Sequence, residues 1–348
     1  MPADSNRPAE RSTQMFREAA EAPEAVERQS SAAASLKRIG AALRARSPAV
    51  VLTCARGSSD HAATFAKYVI ETRIGVPVAS AAPSVASVYA APLEAKNALC
   101  IAISQSGRSP DLLASVSSLK AAGAWVLVLV NDAGSPLARL SDELFELAAG
   151  PERSVAATKS FIASLTAIAH IAAEWSDDGA LRDELGALPS QLRQAWELDW
   201  SPLVAGLEHA SDLYVLARGL ALGVAQEAAL KLKETSQLHA EAFSAAELRH
   251  GPMALVRAGF PVLMFGQSDG TADSVRETAA ALVERGARLF IAGAEASGAI
   301  SLPALRCSPL LEPILQVQSF YRAANALALA RRLDPDNPPH LAKVTETR

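Results

Sequence analysis

The chain has few aromatic residues, 5% of its 348 positions, and no cluster of basic residues. Its formal net charge is −4, so we expect neither a base-stacking surface nor a basic face for nucleic acid or an anionic membrane. No apolar run is long enough to cross a bilayer, and the first residues lack the apolar core of a signal peptide. We therefore expect a cytoplasmic protein with no nucleic-acid or membrane partner.

Cysteine is also scarce. Cys54, Cys100 and Cys307 are far apart in sequence, and none belongs to a Cys-x-x-Cys pair. We expect them to be buried small apolar residues rather than disulfides or zinc ligands, as in a reducing compartment. The histidines show no metal-ligand spacing and Gly-x-Gly-x-x-Gly is absent, so we expect no metal and no cofactor.

Half of the residues are hydrophobic, and the chain is long enough for two domains. Short apolar strands alternate with helices, a pattern typical of parallel sheets covered on both faces. Val51–Gly57 is echoed by Leu213–Gly219, and the same offset relates Gln105 to Gln267. This indicates a duplicated α/β domain, doubly wound and flavodoxin-like. The predicted divisions are an arm with helices at 1–45, domains at 46–195 and 205–333, and a tail at 334–348.

Several element boundaries are predicted from the sequence, most of them from proline residues. Pro23 is expected to interrupt a first helix, and a long helix is expected from about Val155. Between the two domains we expect a helical linker broken at Pro189 and Pro202.

One turn has the composition of an anion-binding site. The apolar run 98–103 stops at Ser104-Gln105-Ser106-Gly107, and Pro110 suits the first turn of a following helix. Hydroxyl groups and backbone N–H groups at such a turn form a cradle for an anion, typically phosphate. A single turn of this kind is more often an ordinary strand-to-helix connection. Ligands of open parallel sheets bind beyond the carboxyl ends of the strands, so we expect one pocket around 56–59, 104–109 and 155–159.

A second group of candidates lies on one predicted helix. Glu227, Lys231 and Glu234 are spaced to share a helix face, and such a stripe is most often a solvated ladder of ion pairs. The flanking alanine and leucine residues instead favour burial. Carboxylate, amine and imidazole groups together suit proton transfer at a carbonyl. His250, beside a Gly-Pro turn, is the better imidazole candidate, whereas His239 is expected to be structural.

These motifs, together with the blocks at 239–242, 247–252 and 341–343, resemble the sugar isomerase (SIS) family. Within that family they resemble the isomerase half of glutamine–fructose-6-phosphate amidotransferase, from about Met15 to Lys343. The resemblance implies two tandem SIS domains and a homodimer with shared active sites.

The resemblance also implies roles for individual residues. Glu234 would move a proton between C1 and C2, supported by Lys231. His250 of the partner subunit would open the sugar ring, and Lys343 would contact the carbonyl, with a Schiff base to a ketose as one form of that contact. Substrate and phosphate would be bound by Arg56, Gly57, Ser58, Ser59, Ser104, Gln105, Ser106, Ser109, Val155, Ala156, Ala157, Thr158 and Glu227.

The expected reaction follows from what precedes the first strand, which is only a short arm. We therefore expect no glutaminase domain, and mass action at low ammonia then favours release of the amino group. This predicts a glucosamine-6-phosphate deaminase that gives fructose 6-phosphate and ammonia. Arg56 and Arg108 depart from the family pattern, and the guanidinium of Arg108 could pair with phosphate or face solvent.

Three alternatives stay open at this point. In the first, the substrate is another phosphorylated amino sugar, such as galactosamine 6-phosphate or a fructosamine 6-phosphate cleaved by a deglycase. In the second, the chain is a non-catalytic phosphosugar sensor, although the arm is too short for a helix-turn-helix. In the third, the chain is an ammonia-dependent synthase, since a catalyst accelerates both directions.

Overall fold

The structure, a computed structural model, describes residues 12–343. The chain divides into two compact units, each built around one sheet. The first-sheet unit contains Pro23–Glu152, Lys159–Pro189 and residues 342–343; the second-sheet unit contains residues 12–22, Arg153–Thr158 and Ser190–Leu341. The start of the predicted N-terminal arm and the end of the predicted C-terminal tail lie outside the described residues.

All strands pair in parallel. The first sheet has the order β2-β1-β3-β4-β5. Its strands are β1 Val50–Cys54, β2 Val78–Ser80, β3 Ala98–Ser104, β4 Trp125–Val130 and β5 Glu143–Glu146. The second sheet has the order β7-β6-β8-β9-β10, also parallel. Its strands are β6 Asp212–Ala217, β7 His239–Ser244, β8 Pro261–Phe265, β9 Arg288–Ala292 and β10 Ile300–Leu302.

The two sheets have the same topology, because each strand of the second occupies the place of its counterpart in the first. The predicted duplicated α/β fold is therefore confirmed. The helices are α1 Gln14–Ala20, α2 Ala22–Ser30, α3 Ala33–Arg46, α4 Ser58–Arg73, α5 Pro83–Ser87, α6 Pro110–Ala121, α7 Lys159–Trp175, α8 Gly179–Trp196, α9 Ser201–Leu207, α10 Leu222–Ser236, α11 Ala272–Glu284 and α12 Glu312–Ala330.

The central strands are apolar because helices cover both of their faces. Every residue of β3 is buried, and Cys100, Val126 and Val128 pack with Leu112 and Val116 of α6. Met264 and Ile291 pack in the same way against α11 in the second-sheet unit. This packing fixes the carboxyl ends of the strands, from which the candidate site loops emerge.

Several predicted elements need correction. The helix expected from about Val155 begins at Lys159, after an irregular segment. Pro189 lies inside α8 rather than breaking it, and Pro23 falls in the first turn of α2, after a break at Glu21. The sequence patterns did not reveal the short elements α5, β7 and β10.

The cysteines differ in burial. Cys54 and Cys100 are buried neighbours, with their Sγ atoms 4.0 Å apart, whereas Cys307 is only half-buried. The pKa of the Cys100 thiol lies well above its usual value. The hydrogen bond with the Cys54 thiol is the main cause, and burial is the second. Within residues 12–343, none of the helices combines the length and the apolar character that crossing a membrane requires.

Candidate active site

The first turn after β3 has the shape of an anion cradle. The Ser104 Oγ atom accepts a hydrogen bond from the Gly107 N–H at 2.9 Å, which closes the turn immediately before α6. Gly107 has a φ of 63°, and a Cβ there would lie 2.7 Å from Ser135 Cβ. Glycine is required on both counts, and its small size lets a ligand approach the backbone. Ser106 and Ser109 are half-buried on the same turn.

The turn after β1 lies beside this cradle, because β1 and β3 are adjacent parallel strands. Arg56 donates from Nε and Nη2 to Asp111 Oδ2, at 2.8 and 2.6 Å. The Asp111 side chain is fully buried in the first turn of α6, whereas half of the Arg56 side chain is exposed. The structure thus brings 56–59 and 104–109 together and anchors a guanidinium between them. Asp111 was not predicted, because nothing in the sequence pattern marks it as the partner of Arg56.

Arg108 is paired at the surface. Its Nη2 atom lies 2.8 Å from Asp132 Oδ2, and both side chains are about half exposed. This hydrogen bond is the main reason that the pKa of Asp132 is lowered from its ordinary value. Arg108 was expected either to pair with phosphate or to face solvent, and in the structure it faces solvent.

The third segment expected at this pocket is divided between the units. Lys159 is buried at the start of α7 in the first-sheet unit, whereas Val155–Thr158 belong to the second-sheet unit. In the latter, Glu18 accepts hydrogen bonds from the backbone N–H groups of Arg153 and Ser154, at 2.5 and 3.0 Å. A buried carboxylate therefore fixes the start of this segment.

Lys343 is held by a carboxylate that the sequence pattern does not reveal. Its Nζ atom lies 3.3 Å from Glu152 Oε2. Glu152 has a fully buried side chain, and it also accepts from the backbone N–H and the hydroxyl of Ser160, at 3.1 and 2.6 Å. The lysine is therefore tied to the first turn of α7 within the first-sheet unit.

The group on α10 is buried, which excludes the solvated ladder of ion pairs. Lys231 is 1% exposed, Glu227 0% and Glu234 19%. Lys231 Nζ is hydrogen-bonded to Glu234 Oε2 and lies 3.5 Å from Glu227 Oε1, and the Tyr321 hydroxyl donates to the same Glu227 oxygen at 3.1 Å. An ammonium group thus sits between two carboxylates away from water, and Glu234 is the member that reaches solvent.

The two histidines of the following segment are both exposed. His239 is the first residue of β7, and its structural role stays a prediction. His250 ends the 3₁₀ turn Glu247–His250, before Gly251, whose φ is 141°. Among the residues that the structure describes, no group of three or more histidine, cysteine, aspartate or glutamate side chains is placed to hold a metal ion.

Comparison with known proteins then identifies the family. The model of the SIS domain matches residues 47–173 and 206–300. The chain belongs to the SIS domain family. A curated relative, the isomerizing glutamine–fructose-6-phosphate aminotransferase of Pyrobaculum aerophilum, is 36% identical over 305 residues, which cover 82% of this chain and 50% of that protein. The chain thus spans about half the length of the curated relatives it matches.

Two solved structures add to this comparison. A provisionally named phosphosugar isomerase of Silicibacter pomeroyi DSS-3 is 44% identical, with a TM-score of 0.89 over 93% of this chain and 100% of its own. A glucosamine-6-phosphate deaminase of Thermotoga maritima is 23% identical, with a TM-score of 0.74 over 96% and 100%, and this shows a common fold. The chain is therefore related to phosphosugar isomerases and to the isomerase part of the aminotransferase.

Proposed function

We propose that this protein isomerises a phosphorylated amino sugar and releases its amino group as ammonia, with glucosamine 6-phosphate as the substrate and fructose 6-phosphate as the product. The observation that carries the proposal is the buried Glu227–Lys231–Glu234 group. Burying three ionised side chains costs several kcal/mol unless they are paired and hydrogen-bonded, so such groups cluster at functional sites. The fold shared with a deaminase is consistent with this reaction.

The chemistry needs one group that accepts and returns a proton. Glu234 takes the proton from C2 of the open-chain aldose and delivers it to C1, while a proton of the C2 amine passes to the C1 oxygen, so the C1 aldehyde becomes an alcohol and the C2 amine becomes an imine. The buried ammonium of Lys231 fixes the Glu234 carboxylate in one position. Glu227, which is itself held by the Tyr321 hydroxyl, in turn fixes Lys231. Water then adds at C2 and ammonia leaves, so the nitrogen of the substrate is balanced by the ammonia released.

The cradle on the first sheet suits the phosphate. Ser104, Gln105, Ser106 and Ser109 supply hydroxyl, amide and backbone donors, and Arg56 adds a cation whose direction is fixed by Asp111. Lys343, held by Glu152, is proposed to contact the open-chain carbonyl. Val155–Thr158 are proposed to line the sugar site.

The remaining proposals concern assembly and location. The exposure of His250 suits a side chain that acts on the substrate of a neighbouring copy, so we include a homodimer in which His250 of the partner subunit opens the sugar ring. Sedimentation at low protein concentration tests the dimer. A cytoplasmic location is part of the same proposal.

The decisive experiment measures ammonia and fructose 6-phosphate from purified protein given glucosamine 6-phosphate, with galactosamine 6-phosphate and N-acetylglucosamine 6-phosphate in parallel. Equal amounts of both products from the first sugar support the deaminase. No release from any of them, with tight binding retained, would shift the assignment to a fructosamine-phosphate deglycase or a sensor. Incubation of fructose 6-phosphate with ammonium tests the synthetic direction.

A variant then tests the proton-transfer role. Glu234→Gln removes the base and keeps the size of the side chain, so turnover should fall by at least about a hundredfold while sugar-phosphate binding changes little. The matched control is Glu277→Gln, on the exposed side of α11, which should retain full activity. Normal turnover of Glu234→Gln would show that another group moves the proton.

A further inference from the structure

The second sheet carries its own version of the anion cradle. The turn 266–271 follows β8 as 104–109 follows β3, and the two strands occupy the same place in their sheets. The offset of the repeat places Gln267 at the position of Gln105 and Ser268 at that of Ser106. A turn at the equivalent place in the fold therefore follows the central strand of the second sheet.

In this second turn the anion is a side chain of the protein itself. The backbone N–H of Ser268 donates to one oxygen of Glu312 at 2.7 Å, and the Ser268 hydroxyl donates to the other at 2.9 Å. Two donors on the two oxygens of one carboxylate is the geometry of bidentate oxyanion recognition. Arg306 adds positive charge, with Nη1 3.5 Å from Glu312 Oε1.

The burial of Glu312 explains why its carboxylate stays in the second turn. It is the first residue of α12, and its side chain is fully buried. An ionised carboxylate without partners would be very costly at that depth, so the Ser268 donors and Arg306 satisfy it. Ser268 itself is exposed, and solvent therefore lies next to the carboxylate site.

Other contacts hold the turn independently of the carboxylate. Gln267 accepts a hydrogen bond from the Ala221 N–H at 2.9 Å, and Gln316 donates to the Gly266 carbonyl at 2.6 Å. Neither bond involves Glu312. Removing its side chain should therefore leave the donors of the cradle in place.

The geometry points to a second oxyanion site in each chain, formed by Ser268 and Arg306 and permanently occupied by the Glu312 carboxylate. One cradle per chain is then open to a phosphorylated ligand, and the other is closed by an internal ligand. Vacating it should create a site for a small oxyanion such as inorganic phosphate. This inference concerns the second-sheet unit alone and does not depend on the proposed reaction.

The test compares phosphate binding in variants of the full chain by isothermal titration calorimetry. Ser106→Ala serves as the background, since it weakens the first cradle. Adding Glu312→Ala should create one inorganic phosphate site per chain that the background lacks, and phosphate should raise the melting temperature of this variant more than an equal ionic strength of chloride. Adding Ser268→Ala as well should abolish the new site.

Two further results decide the matter. Glu312→Gln fills the space without a charge, so it should fold and bind no additional phosphate; binding equal to that of the alanine variant would overturn the inference. If Glu312→Ala does not fold in chloride, refolding in phosphate should recover it. Failure in both solutions, or a folded Glu312→Ala with no new site, would also overturn it.

Discussion

Protonation of His170 should weaken the folded state in mild acid. All residues of α7 are buried, and burial lowers the pKa of His170 from 6.5 to about 4. Its Nε2 atom is buried without a hydrogen-bond partner among the described residues. Because the folded-state pKa is depressed, the unfolded chain binds the proton first as the pH falls. The penalty is absent above about pH 6.5 and complete below about pH 4, and at pH 5 it is about 2 kcal/mol.

The free energy of unfolding in urea measures this penalty when wild type and His170→Gln are compared at about pH 7.5 and about pH 5. The substitution itself changes the free energy of unfolding by the same amount at both pH values. Only the pH dependence of the difference between variant and wild type therefore reports the protonation of His170. We expect the variant to gain about 2 kcal/mol relative to wild type on acidification. His209→Gln, at an exposed position, is the control and should show no such gain. A difference that does not change with pH would refute the reasoning.

Three further predictions concern the candidate site. Ser106→Ala should raise KM for the sugar phosphate roughly tenfold with little change in kcat, because it removes one ligand donor; an effect on kcat alone in steady-state kinetics would contradict the cradle. Gly107→Ala should lower the free energy of unfolding by about 2 kcal/mol, since its φ of 63° and its crowded surroundings exclude a Cβ. Gly186→Ala, in helix α8 with open space around it, should be neutral or stabilising in the same urea titration. Lys231→Met should lower the free energy of unfolding by roughly 3–5 kcal/mol, because two carboxylates lose their shared cation. Lys233→Met, on the exposed face, should lower it little. Equal stabilities of the two variants in chemical denaturation would show that the ion pairs are not structural.

The architecture could be predicted because its signals are local. Fully buried parallel strands are short continuous apolar runs, so the bounds of β4 and β8 follow from the sequence directly. The repeat offset then identifies the matching strands of the two sheets. The missed strand β7 lies at a sheet edge, where polar residues alternate with small apolar ones and no continuous run forms. Its two titratable side chains, His239 and Glu241, suggested a site segment rather than a strand.

The partners of the candidate side chains could not be predicted, because they are set by packing between distant parts of the chain. Asp111 is 55 positions from Arg56, and its burial makes it an anchor rather than a surface charge. Glu152 meets Lys343 from 191 positions away. Helical spacing and motif composition identify one member of each pair, and only the fold supplies the other.

The group on α10 shows what this limit means for function. Periodicity places Glu227, Lys231 and Glu234 on one face, but the same spacing occurs in solvated ion-pair ladders and in buried proton-transfer groups. The distinction depends on what covers that face. Here α12 covers it and supplies Tyr321, whose hydroxyl satisfies Glu227 at the buried end, while Glu234 retains contact with solvent at the other. A carboxylate with one restrained and one accessible side is able to exchange a proton with a ligand, which a fully buried or fully solvated stripe would not favour.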